Sequence, residues 1–154
     1  MKATRWGGLL AAVVAAGVIG GLAEAQTLNQ DIITIRQAGM SLQQGAVDAM
    51  VATVKANGDV KPYARAAEAI AFWANQIPLA FPPGSDKGHD TKAKPEIWSD
   101  PAGFKKDSDD LAAAAEKLQA AAKAGDTAAF ADDLKAAGAT CGACHRTYRV
   151  RSSG

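Results

Sequence analysis

Cys141 and Cys144 stand three residues apart, and His145 follows directly, in the run Cys141-Gly142-Ala143-Cys144-His145. C-x-x-C-H is the attachment signature of a c-type haem. Two thiols at this spacing can form thioethers to the two vinyl groups of one porphyrin, and the adjacent imidazole can turn onto the iron. The chain holds 2 cysteines, and the motif uses both. A thioredoxin-like couple would open a helix after a strand, whereas this pair lies late in a helical pattern, near the C-terminus. A zinc site would need a second ligand pair, and the sequence has no other C-x-x-C. One covalently attached haem c is therefore the expected cofactor, anchored by Cys141 and Cys144, with His145 as the proximal metal ligand.

Four helical segments are available to position that motif. The first runs from about Thr27 to Ala56, with Ile32, Ile35, Gly39, Leu42, Ala46 and Ala49 at spacings of three and four. Asn57-Gly58-Asp59 should end it. The second spans roughly Pro62 to Leu79, with Ala66, Ile70, Trp73 and Ile77 on its apolar side. Phe81-Pro82-Pro83-Gly84-Ser85-Asp86-Lys87-Gly88 cannot continue a helix. A long loop to about Asp100 is expected, with one short turn around Pro95 to Trp98. A connection of this length calls for a functional reason, and a crossover past the haem edge, with Trp98 helping to cover it, supplies one. The third helix should run from Pro101 or Ala102 to Lys123 on the stripe Leu111, Ala115, Leu118, Ala122. Gly125 stops it, and Asp126 or Thr127 caps the fourth. On that last helix Phe130, Leu134, Ala137, Cys141, Cys144 and Tyr148 share one seam, which turns both thiols inward. The expected architecture is all-α, an antiparallel up-down-up-down four-helix bundle enclosing the haem. An apolar cofactor of that size should add to the core, so the haem-free chain is expected to fold poorly.

Antiparallel packing sets the early part of the first helix level with the fourth helix's C-terminal end. Arg36 and Met40, four residues apart on one face, then approach the distal side. Met40 can either bind the iron or fill space against the porphyrin. Arg36 near the seam needs a partner, a haem propionate or a buried carboxylate. His89, in a polar loop, reads as a surface residue.

The N-terminus reads as an export signal. Lys2 and Arg5 precede an apolar run from Leu9 to Leu22, and Ala23-Glu24-Ala25 fits a small-residue cleavage site. Residues 1–25 are thus expected to be a cleaved signal peptide, leaving a 26–154 haem domain in the periplasm with no membrane anchor after processing. The whole chain has 17 Lys+Arg and 16 Asp+Glu. Losing Lys2, Arg5 and Glu24 leaves 15 of each. A near-neutral chain without a basic stripe argues against nucleic acid as a partner.

These residues together resemble the class II c-type cytochromes, the cytochrome c′ and cytochrome c-556 group. The resemblance rests on the C-terminal position of Cys141, Cys144 and His145 and on Arg36-Gln37-Ala38-Gly39-Met40. It extends to Leu79-Ala80-Phe81-Pro82-Pro83-Gly84, Lys94-Pro95-Glu96-Ile97-Trp98 and Gly125-Asp126. It implies a bundle that often forms a homodimer through its first two helices. In the c′ branch the iron is five-coordinate and high-spin, and nitric oxide or carbon monoxide can enter on the distal side. In the c-556 branch the first-helix methionine binds the iron, giving a low-spin carrier; Met40 is compatible with both. The resemblance also implies a basic residue one turn after the proximal histidine, which Arg149 matches. The expected function is one-electron transfer to a redox partner protein, with gas binding as the rival. An enzyme is not expected, because Arg36 and Met40 offer no distal acid-base pair.

Overall fold

The computed structural model describes residues 10–151, with side chains described from 27 onward. Four long helices carry the fold: α1 (Leu10–Lys55), α2 (Ala64–Gln76), α4 (Pro101–Ala124) and α5 (Thr127–Tyr148). A single turn, α3 (Glu96–Ser99), interrupts the long middle connection at the place expected for it. Short 3-10 turns at Lys61–Tyr63 and Ile77–Ala80 flank α2. Lys2 and Arg5 of the expected signal lie outside the described residues. The backbone of α1 runs unbroken from Leu10 through the expected cleavage point.

The helix boundaries follow local chemistry. At the end of α1 the Asn57 N–H donates to Val54 O at 3.1 Å and Gly58 N–H to Thr53 O at 2.9 Å. Asn57 takes the left-handed φ of 49° that this closing pattern needs. Gly125 does the same for α4, at φ 73°. Asp100 caps α4 by accepting from Gly103 N–H at 3.0 Å, ahead of Pro101 in the first turn. Asp126 caps α5 by accepting from Ala129 N–H at 3.0 Å; of the two candidates, it is Asp126 and not Thr127 that caps.

Packing is tightest between α2 and α4 and between α4 and α5. Ala67, Ala74, Ala115 and Ala122 are fully buried there, and their small size lets the helices approach closely. Leu118, Phe130, Met50 and Val60 fill the core. The expected stripes of α4 and α5 hold: Leu111, Ala115, Leu118, Ala122, Phe130, Leu134 and Ala137 are all buried.

The first helix is turned differently from its expected stripe. Ile33, Arg36 and Met50 are buried, whereas Ile35 and Leu42 are exposed, Leu42 by 76%. Both sets repeat at helical spacings, so periodicity alone cannot choose between them. The inward face is the one with a polar task, and the outward face keeps Leu28, Ile35 and Leu42 at intervals of seven. Gly39 sits hard against the indole of Trp73, where any Cβ would collide. That contact sets α1 beside α2.

Candidate haem site

The helices enclose a cavity of about 660 Å³, within the range of pockets that hold small molecules and cofactors. From α5, Cys141, Cys144 and His145 all line it; from α1, Arg36, Met40 and Val47 form a second wall. Ile70 and Ile77 close it from the α2 side, and Phe104 and Leu111 from α4. Two thiols, one imidazole and apolar walls fit a haem held through the C-x-x-C-H motif. Among the described residues no group of three or more His, Cys, Asp or Glu is placed to hold a metal ion.

The electrostatics suit that chemistry. Burial raises both thiol pKa values; Cys144 is pushed up to about 12, with Asp107 and Cys141 adding to the effect of burial. Both sulfurs are thus protonated at neutral pH, and neutral thioethers would belong in the same apolar wall. His145 stands at the cavity mouth. Burial of its ring, then the positive charge of Arg149, holds it below the ordinary histidine range. It is therefore neutral at physiological pH, the form that ligates metal.

Residues 31–149 match the family model described as cytochrome C′. The chain belongs to the cytochrome c′ family. It is 45% identical over 127 residues to cytochrome c′ of Rubrivivax gelatinosus, covering 79% of this chain and 95% of the relative. It is 37% identical over 121 residues to cytochrome c-556 of Agrobacterium tumefaciens, covering 75% of this chain and 94% of that one. Its fold overlays the nitric oxide complex of a single-residue variant of cytochrome c′ from Alcaligenes xylosoxidans with a TM-score of 0.72. That match has 32% identity over 80% of this chain and 97% of the other. Cytochrome c′ membership makes this a haem protein.

Within this cytochrome c′ fold, Arg36 is only 3% exposed. It donates to Ala80 O at 3.1 Å, Ser85 Oγ at 2.8 Å, Ser85 O at 2.6 Å and Thr91 Oγ1 at 2.8 Å. Its guanidinium also lies 4.2 Å from the centre of the Phe81 ring. No carboxylate reaches it among the described residues, so the buried acid expected as one possible partner is replaced by loop carbonyls and hydroxyls. Burial lowers its pKa to about 10, which still leaves it cationic. Gln37 donates to His89 O at 2.8 Å and Gln30 to Lys87 O at 3.1 Å. Polar side chains of α1 therefore pin the long connection along the cavity. His89 is exposed, as expected for a surface residue.

Trp98 stands behind the cavity wall. It does not line the cavity; its neighbour Ile97 does. The Trp98 indole N–H donates to Phe81 O at 3.0 Å and Pro82 O at 3.2 Å, and its ring packs edge-on against Phe81. Trp98 thus braces the residue that forms the wall. Met40 is half-buried and faces the cavity, with the Gln43 amide 3.9 Å from its sulfur. Arg149 lies at the mouth beside His145.

Several residues at or near the cavity carried no functional signal in the chain. Asp107 contributes a carboxylate on the Cys144 side. Tyr148, read only as a seam residue, donates its hydroxyl to Asp100 at 2.9 Å and packs against Phe104. Ser85 is fully buried inside a loop of otherwise exposed polar residues. Its only hint was that a buried arginine needs acceptors.

Proposed function

We propose that this protein is a periplasmic electron carrier whose single haem c is bound through Cys141 and Cys144 and ligated by His145, the iron being five-coordinate and high-spin. When bound, haem would supply one-electron exchange between ferric and ferrous iron and could take up a diatomic gas. The observation that carries the reading is the one cavity shared by both thiols, the His145 imidazole and a facing α1 wall. The two cysteines tether the group against loss after export. His145 offers a lone pair without first releasing a proton. The apolar walls from α2 and α4 exclude water, which favours the less charged iron state. Arg36, already lining the cavity, can oppose a propionate's charge, and Arg149 can influence ligands on the histidine side. Export to the periplasm is supported by the Lys2, Arg5 and Ala23-Glu24-Ala25 pattern.

Nitric oxide or carbon monoxide capture is a second role for the same site. The nitric oxide complex of the Alcaligenes xylosoxidans relative favours it. A third reading, a low-spin His/Met carrier, draws on the place of Met40 in the facing wall. Exposed Leu28, Ile35 and Leu42 on α1 with Phe72 and Leu79 near α2 support a homodimer through these helices.

Resonance Raman coordination and spin markers of the purified holoprotein test the choice. High-spin five-coordinate bands that change on adding carbon monoxide, and that are the same in Met40→Leu, support the c′-type reading. Low-spin bands that convert to high-spin in Met40→Leu replace it with the His/Met carrier. A mass equal to the bare processed polypeptide would rule out the covalent cofactor.

A further inference from the structure

We infer that the rim around His145 is a docking surface for the acidic face of an electron-transfer protein, an inference that rests on the carrier reading above. The rim is assembled by a short clamp. Val150 N–H donates to Lys92 O at 2.8 Å and Lys94 N–H to Tyr148 O at 3.0 Å, with Ala93 bridged to Arg149. The end of the long connection is thereby tied to the tail of α5, which brings Lys92 and Lys94 to Arg146, Arg149 and Arg151. The Lys94 ammonium itself reaches Arg146 O at 3.2 Å. The three arginines, with His145 and Val150, line one small cleft of about 100 Å³.

These cations are not spent on internal pairs. Among the described residues Lys94, Arg146, Arg149 and Arg151 meet no carboxylate, and Lys92 meets only exposed Asp90, at 3.9 Å. Asp100 is engaged by Tyr148, and Asp107 lies in the cavity wall. The processed chain has 15 basic and 15 acidic residues; setting these five cations aside leaves 10 against 15. Positive charge is thus concentrated where the proximal histidine meets solvent. Such a ring steers an oppositely charged partner and orients it toward the His145 end of the cavity. Val150, exposed in the same cleft, offers a small apolar contact suited to a brief encounter. A lipid surface would call for a broad apolar helix face beside the charges, and the rim presents one valine.

The test is electron exchange by the holoprotein with two small oxidants of opposite charge, ferricyanide and tris(phenanthroline)cobalt(III), followed by stopped flow. Between roughly 10 mM and 200 mM ionic strength, the ferricyanide rate should fall about tenfold, while the cobalt rate should rise or stay flat. Arg146→Glu/Arg151→Glu, which turns two of the five rim cations into anions and leaves little net charge, should flatten both trends. Lys105→Glu/Lys117→Glu, the same charge change on the outer side of α4, should keep the wild-type pattern. Equal salt dependence for both oxidants in the wild type, or the same flattening in the α4 variant, would overturn the rim while leaving the carrier reading intact. No exchange with either oxidant would remove the carrier reading, and the redox identity of the partner with it. Binding of the wild type to phosphatidylglycerol vesicles at 200 mM, the upper end of that roughly chosen range, lost in Arg146→Glu/Arg151→Glu, would assign the rim to a membrane and overturn the protein partner.

Discussion

The guanidinium of Arg36 binds α1 to the long connection by four hydrogen bonds and a ring contact. Truncating it strands the carbonyls of Ala80 and Ser85 in a buried setting. Arg36→Ala should therefore cost about 3 kcal/mol, measured by denaturant unfolding of the holoprotein, and should open residues 81–95 to limited proteolysis. Arg36→Lys should recover only part of that stability, because an ammonium cannot span the same fork of acceptors. Equal stability of the alanine variant would show that the loop is held by other contacts. At this scale the chain was legible where chemistry demands fixed types. The motif named Cys141, Cys144 and His145, and an arginine on a seam demanded a partner. It did not name Ser85 or Thr91, because a loop hydroxyl has no pattern of its own.

At the scale of the elements, Gly39 governs how α1 meets α2. A Cβ there would strike the Trp73 indole, whose buried N–H has no hydrogen-bond partner among the described residues. Gly39→Ala should lower stability by about 1–3 kcal/mol through this overpacking, seen as a fall in Tm. An unchanged Tm would mean that the indole shifts freely. The helices themselves were readable from stop signals such as Asn57-Gly58 and Gly125-Asp126, and from the alanine-rich stripes of α4 and α5. The rotation of α1 was not. Its inward face carries Arg36, and its outward face carries Ile35 and Leu42, the reverse of a simple apolar-in rule.

At the scale of the whole molecule, that outward face gives a further expectation. Leu42 and Leu79 are 76% and 73% exposed, and in a homodimer they would be covered. Ile35→Asp/Leu42→Asp should shift the protein from dimer to monomer in sedimentation velocity, without changing its haem spectrum. A monomeric wild type would remove the dimer. The cavity carries the other expectation. With Cys141→Ser/Cys144→Ser blocking attachment, α1 loses what fills the space between it and the other helices. The melt followed by circular dichroism should then move to lower temperature and lose cooperativity relative to the holoprotein; an equally stable variant would show that the bundle is self-supporting.

The sequence by itself determined the C-x-x-C-H spacing, the long helices and the long middle connection. Those depend on residue types at short range: thiol spacing, capping groups, and glycine or proline stops. Only the tertiary structure decided which face of α1 turns inward, what Arg36 binds, and that Ile97 rather than Trp98 reaches the cavity. Each of those is a choice among several locally acceptable arrangements. The deciding energies come from groups far apart in the chain, such as Trp98 with Phe81 and Pro82 and Arg36 with Ala80 and Ser85, which no local pattern encodes.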